Sequence, residues 1–329
     1  MPLGSKPTNK NTIIRQLIAK FPGITKTDLA RKAMHDHPLI FDDLEATRAI
    51  VRYVTGTCGS SNNARQKLGG TEQYTLPESR AKEREFYRIE RKNILWLSDI
   101  HIPNQNNQAI ELAVQYGVDH KIDCILLGGD IMDNTPFTSH DAPPPSPDDV
   151  RDFFDMTEQF LGWLRSKFPK AQIIWIEGNH DNWLMRWLMK KAPILFNDPY
   201  YHLPQRLNLK KYNVEFLEQH IIVQMGKLYG SHGHTIVRGV FAPVSAARGV
   251  FTKTKSNYII GHVHSTSHHG ESNIKEDAIG CWSVGCLCEL SPSYDPHNTK
   301  HNLGFARIIV EANGDFTVEN KRIFKGKIV

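Results

Sequence analysis

The sequence predicts an α/β domain preceded by a small basic helical unit, and three observations carry that reading. After Asn93, short apolar runs alternate with helix-length stretches, the pattern of an α/β domain whose functional loops lie at strand ends. Before Asn93, apolar residues recur at helical spacing. Charge divides at the same point: residues 1–92 hold 17 Lys+Arg against 10 Asp+Glu, a balance of +7, and the rest 23 against 25, a balance of −2.

In chain order, residues 1–60 form a small basic domain of three helices, expected at 11–20, 27–35 and 42–54. Ile13, Ile14, Leu17 and Ile18, then Leu44, Ile50 and Val51, supply the apolar stripes, and Pro22-Gly23 and Pro38 the breaks. Lys26-Thr27-Asp28-Leu29-Ala30-Arg31-Lys32 after a turn resembles a helix-turn-helix or winged-helix module. A helical docking or oligomerisation unit fits the same residues, because no base-reading pattern is visible. Residues 61–92 read as a linker and a charged lead-in, helical or extended. Gly, Ser and Asn fill 57–70, and Arg80, Lys82, Arg84, Arg88, Arg91 and Lys92 alternate with glutamates. Residues 93–329 form the main domain, with strands at 94–97, 124–127 and 173–176, helices at 108–120 and 148–168, and a hairpin of 306–310 with 316–324 around Asn313-Gly314.

At 329 residues, 40% hydrophobic and 23% charged, the composition is that of an ordinary globular protein. No segment approaches the roughly 18 apolar residues of a membrane span, and residues 1–20 lack a signal-peptide core. A cytoplasmic protein without a membrane partner is therefore expected. Five cysteines, Cys58, Cys124, Cys281, Cys286 and Cys288, are an odd, scattered set that points to reduced thiols. The basic N-terminal quarter is expected to attract a polyanion, although a solvated helix surface has the same composition.

Five clusters follow in order: Asp99-Ile100-His101, Gly128-Gly129-Asp130-Ile131-Met132-Asp133-Asn134, Gly178-Asn179-His180-Asp181, Ser231-His232-Gly233-His234 and Gly261-His262-Val263-His264. Hard oxygen donors mixed with imidazoles suit divalent ions, and a pair of ions a few ångström apart needs one bridging carboxylate. Asp130 is the expected bridge. Glycines before Asp130, Asn179 and His262 are expected to let the backbone turn sharply there. Taken singly, buried histidines and strand-end aspartates often only satisfy backbone groups, but so many metal-capable residues are costly to assemble without metal.

In order and content these clusters resemble the calcineurin-like metallophosphoesterases over residues 93–329. The resemblance implies a four-layer α/β/β/α sandwich, a first metal site of Asp99, His101, Asp130 and His264, and a second of Asp130, Asn179, His232 and His262. It also implies His180 as general acid, held by Asp133, and attack by a hydroxide that bridges the metals. Manganese, iron, zinc, cobalt or nickel all suit the donor set, manganese being the first expectation. Phosphoprotein phosphatases carry an arginine where this chain has Asn134 and lack the second histidine of the His262-Val263-His264 pair. The pair instead resembles the branch of repair nucleases and phosphodiesterases, and residues 177–183 and 285–288 resemble uncharacterised phosphoesterases of bacteria and their phages.

Several features stand beside that set. His234 is expected behind the ligands or against substrate. Trp183 and Trp187, four apart, are expected to pack in the core or a groove wall before serving as a stacking platform. Cys281, Cys286 and Cys288 lack zinc-knuckle spacing and read as buried thiols. Residues 135–147, with His140, Asp141 and Pro143 to Pro145, read as a substrate rim or a rigid spacer. The expected activity is a phosphodiesterase or nuclease acting on nucleic acid delivered by the basic N-terminal unit. The alternative is a small-molecule phosphodiesterase or phosphatase, acting on a nucleotide or cyclic nucleotide, whose N-terminal unit docks or oligomerises.

Overall fold

A computed structural model describes residues 9–56, 76–81, 86–138, 147–237, 245–274, 277–291 and 300–329. Residues 57–75 and 82–85 of the linker region, with Cys58, and residues 139–146 of the expected rim, with His140, Asp141 and Pro143 to Pro145, lie outside the described residues. The chain divides into two compact units, Met1–Ala81 and Lys82–Val329.

Three helices build the first unit: α1 (Asn9–Lys20), α2 (Lys26–Asp36) and α3 (Leu44–Val54). Thr25 caps α2 by accepting from the Asp28 amide at 3.2 Å, and Asp43 caps α3 by accepting from the Ala46 amide at 2.6 Å, satisfying donors that have no partner inside the helix. Asp43 lies before α3 for that reason. Ile14, Leu29, Ala30, Ala33, Phe41 and Val51 close a small core of their own.

The second unit is a two-sheet sandwich. Parallel strands β2 (Asn93–Leu97), β3 (Cys124–Leu127), β4 (Gln172–Ile176) and β5 (Val214–Leu217) form the centre of one sheet. Antiparallel β11 (Leu303–Val310), β12 (Phe316–Phe324) and β13 (Lys327–Ile328) extend it beyond β2. The other sheet runs β1 (Phe86–Arg88), β6 (Ile222–Met225), β7 (Leu228–Ser231), β8 (Tyr258–Ile260), β10 (Ala278–Ser283), β9 (Ser267–Ser272). The charged lead-in thus contributes an edge strand, β1, parallel to β6.

Alternation along β2 to β4 sets the layers. Leu95, Leu97, Ile125, Leu127, Ile173 and Trp175 face a core shared with α4 (Asn107–Asp119), α5 (Pro147–Lys167), α6 (Trp183–Lys191) and the short α7 (Leu203–Arg206). Ile94, Trp96, Cys124, Leu126, Ile174 and Ile176 face the second sheet. On that sheet's far side, α8 (Ala246–Thr254) packs Ala247 and Val250 against Tyr258, Ile260 and Cys281. Helices, sheet, sheet and helix make the four-layer α/β/β/α arrangement.

Candidate metal centre

Every expected ligand emerges just past the C-terminal end of a strand: Asp99 and His101 after β2, Asp130 after β3, Asn179 after β4, His232 after β7, His262 and His264 after β8. Asp99, His101, Asp130, His262 and His264 all hold left-handed backbone, with φ between 52° and 68°, a conformation that side-chain-bearing residues adopt at a cost. The bends are therefore made largely by the ligands themselves. Among the glycines expected to turn the chain, Gly129 does so at φ +95°, whereas Gly178 and Gly261 serve close approach. A Cβ on Gly178 would stand 2.2 Å from Asp130 Oδ1, and one on Gly261 2.0 Å from Ser98 Oγ.

The side chains converge. His232 Nε2 lies 3.0 Å from Asp130 Oδ2 and 3.1 Å from Asn179 Oδ1. Across the pocket, His264 Nε2 lies 3.3 Å from Asp99 Oδ1 and 3.1 Å from His101 Nε2, which is 3.9 Å from Asp130 Oδ2. Asp130 stands between the two groups. Outer ring nitrogens are anchored: His101 Nδ1 at 3.2 Å from Asp133 Oδ1, His232 Nδ1 at 2.9 Å from the Gly128 carbonyl, and His264 Nδ1 at 3.9 Å from Cys288 Sγ. Anchoring Nδ1 in this way leaves Nε2 directed inward, where it can offer a lone pair to an ion that displaces its proton.

Burial opposes charge throughout this pocket, and mutual pairing overcomes it at several groups. Despite complete burial, pairing with His264 holds the Asp99 carboxyl at about 2. Asp130, equally buried, is held well below its ordinary value by His232 and His180. Burial likewise opposes ionisation of Asp133, but His101 and His180 depress its carboxyl. Conversely, burial is outweighed by Asp130 at His232 and by Asp99 at His264, and both imidazoles rise to about 9. Burial and then the neighbouring His232 push His262 down to about 4, which favours the neutral ring, with one nitrogen lone pair to offer.

The calcineurin-like phosphoesterase family matches residues 92–279. The chain belongs to this family. The solved structures it resembles include Vacuolar Protein Sorting 29 from Cryptosporidium parvum, at 12% identity and TM-score 0.41 over 73% of this chain and 95% of that one. They also include the nuclease MPE of Pseudomonas putida, at 11%, 0.31, 69% and 87%, and a dimetal phosphatase from Danio rerio, at 13%, 0.34, 70% and 96%. A search of curated proteins gives no match.

Membership of the calcineurin-like phosphoesterases implies divalent ions, and this pocket fits them on two observations. His262 Nδ1 is buried without a hydrogen-bond partner, a costly state for a polar atom unless something else engages it. Three of the expected ligands, Asp130, His232 and His262, also form a compact donor set, and a second set joins His101 and Asp130 to the expected acid His180, the donor atoms of each lying within 4.8 Å of one another. Separations of about 3 Å between donors suit bonds of about 2.1 Å to one ion.

Other expected residues fall beside the centre. His180 Nδ1 is 2.9 Å from Asp133 Oδ1, while its backbone amide donates to Asp130 Oδ1 at 2.8 Å. Burial disfavours the imidazolium, but Asp130 and Asp133 outweigh it and raise the His180 pKa. His234 Nε2 sits 3.0 Å from Gln219 Oε1, and its ring centroid lies 5.6 Å from that of His232 and 6.1 Å from that of His262. Cys124, Cys281, Cys286 and Cys288 are buried free thiols, and Cys288 stands near enough to form a third set with His101 and His264.

Sequence reasoning gave no role to Asp181. Its carboxylate is fully buried and accepts from the amides of Asp130 (2.9 Å), Ile131 (3.1 Å), Met132 (3.0 Å) and Gly178 (2.8 Å) and from Trp175 Nε1 (3.1 Å). This one side chain clamps the turn that presents Asp130. Asn104 and Thr135 were also passed over; they donate to Asp133 Oδ2 at 3.0 and 2.6 Å, fixing the carboxylate that orients His101 and His180. The signal available was proximity in sequence: Asp181 closes the Gly178-Asn179-His180-Asp181 cluster, and Thr135 follows Asp133 by two.

Proposed function

We propose that the chain is a dinuclear-metal-dependent phosphodiesterase that cuts nucleic acid, with Asp99, His101, Asp130 and His264 holding one ion and Asp130, Asn179, His232 and His262 the other. The observation that carries the reading is the position of Asp130 between two inward-facing donor groups, with His180 tied to Asp133 at their edge. Held by those residues, two divalent ions would supply a hydroxide nucleophile near neutral pH and would neutralise the phosphate oxygens. Residues of the chain do the rest. Asp133 holds His180 through Nδ1, so Nε2 remains to protonate the departing oxygen, and its carboxylate favours the imidazolium that must give up that proton. The same carboxylate fixes His101, so donor and ligand keep their relative positions.

A polynucleotide substrate draws support from the basic balance of residues 1–92, with the N-terminal helices as a helix-turn-helix-like delivery unit. One observation favours the second reading, a small-molecule phosphodiesterase with a docking unit. Arg31, Lys32, Arg48 and Arg52 each meet a carboxylate within the first unit, which reduces the charge they present. The test is hydrolysis of bis(p-nitrophenyl) phosphate and of single- and double-stranded DNA and RNA with manganese, using His180→Ala against contamination. Truncation should stop at Ala81, because Phe86–Arg88 form β1 and Ile89 is buried in the inter-sheet core. Salt-sensitive polymer cleavage that weakens on truncation supports the nuclease; diester hydrolysis with intact polymers moves the assignment to the small-molecule enzyme.

A further inference from the structure

We propose that α6 and Phe137 form a subsite for the leaving strand of a polynucleotide, in which one base stacks on Trp187 and flanking phosphates meet Arg186, Lys190 and Lys191. It rests on the phosphodiesterase reading and specifies its substrate. Trp183, the first residue of α6, lies over the His180 imidazole with ring centroids 3.7 Å apart and planes 29° from parallel. One turn on, Trp187 is 38% exposed and meets the Phe137 ring at 6.0 Å. These rings and the three cations border a groove of about 90 Å³ that no carboxylate lines. Among the described residues, neither Arg186 nor either lysine meets a carboxylate within 4.0 Å.

Position gives the groove its direction. One wall of it, Trp183, stacks on the His180 ring, so a strand that leaves with the oxygen protonated there would pass along the groove. The cations lie four residues apart and adjacent, at 186, 190 and 191, so they form a row about one helical turn long, which follows a backbone better than it encloses a single phosphate. Lysines in the last turn of α6 also complement its dipole, but that does not account for a half-exposed indole beside them. Aromatic faces interleaved with cations are what unpaired strands bind: bases of any identity stack, and phosphates pair. Both tryptophans line the groove, in keeping with the sequence expectation of wall residues, and the proposal adds to Trp187 the stacking role that the sequence reading placed second.

The experiment uses the full chain and a fluorescein-labelled single-stranded oligothymidylate. Binding is read by anisotropy in EDTA across a salt series. Cleavage with manganese is expressed as the ratio of kcat/KM on the oligonucleotide to kcat/KM on bis(p-nitrophenyl) phosphate. Trp187→Ala should weaken binding by roughly 5- to 160-fold. Lys190→Glu with Lys191→Glu should reduce the magnitude of the log–log salt slope by about 1.4, or about 0.7 for each lost phosphate contact, and both variants should lower the rate ratio about tenfold or more. Lys325→Glu with Lys327→Glu, both exposed, makes the same change in net charge as the double groove variant and is the control. If wild type cuts the oligonucleotide and the groove variants match that control in binding, slope and ratio, the groove assignment is overturned and the nuclease reading stands. If wild type hydrolyses only the small diester and binds no oligonucleotide, both fall. If Trp187→Ala slows the dinucleotide thymidylyl-(3′→5′)-thymidine, whose leaving side is a single nucleoside or nucleotide, as much as the polymer, the groove takes one unit and the strand assignment is overturned.

Discussion

Gly178→Ala tests how closely the bridging carboxylate is held. The new Cβ would lie 2.2 Å from Asp130 Oδ1, 2.3 Å from its amide nitrogen and 2.9 Å from Cγ. Restoring an ordinary contact of about 3.2 Å to the first of these takes a shift of about 1 Å. The carboxylate has little freedom to rotate away, since Oδ1 accepts from the His180 amide and Oδ2 faces His232, and the Asp130 amide is clamped by Asp181. The shift is therefore passed to the carboxylate proposed to bridge the ions, where a misplacement of about 1 Å would cost on the order of 100-fold in rate; overpacking adds about 1–3 kcal/mol of instability. Expected results are a fall of about 100-fold in kcat/KM on bis(p-nitrophenyl) phosphate, substoichiometric manganese after dialysis, and a lowered Tm. Gly162→Ala on α5 is the control, because its Cβ would meet only Tyr212 Cε1 at 3.4 Å and alanine gains about 1 kcal/mol in a helix. Gly178→Ala with full metal content and wild-type turnover would refute the close-approach argument.

Three further outcomes are expected. His180→Ala keeps its manganese and loses about 100- to 10,000-fold on alkyl diesters, with a smaller loss on p-nitrophenyl esters; equal losses on both would remove His180 from the acid role. Manganese at 100 times its Kd should stabilise the wild type by about 2.7 kcal/mol, read as a Tm rise that EDTA reverses, and Asp130→Asn should lose most of it; an undiminished rise in that variant would show that Asp130 is not shared. Tyr87 donates to the Glu215 carboxylate, and burial together with Glu215 raises its phenol to about 12. The fold thus favours the neutral phenol, so this contribution is intact below the ordinary value of about 10 and is lost as pH rises to about 12. Wild-type Tm should fall more steeply than that of Tyr87→Phe across this window, and parallel curves would exclude the contribution.

The central strands were legible because burial on both faces writes continuous apolar runs: Cys124 to Leu127 needs no other signal. The donor residues were legible because polar groups cut those runs off abruptly, at Asp99, Asp130 and Asn179. Glycine roles were misread at 178 and 261, since a sequence reports the absence of a Cβ but not the atom that takes its place. Asp181 escaped because its work is done on backbone amides, which carry no sequence identity. The edge strand at Phe86–Arg88 was hidden among alternating charges, and its pairing with Ile222 to Gln224 depends on residues more than a hundred positions away.

Left-handed backbone at Asp99, His101, Asp130, His262 and His264 has an evolutionary consequence. Each such residue sacrifices on the order of 1–3 kcal/mol of fold stability, and glycine at any of them would relieve the strain while deleting a donor. Selection for heat resistance alone therefore favours dismantling this centre, one hardier and inactive variant at a time. Only a demand for turnover keeps the five side chains in place, so lineages released from that demand should drift toward glycine here before the sandwich around them changes.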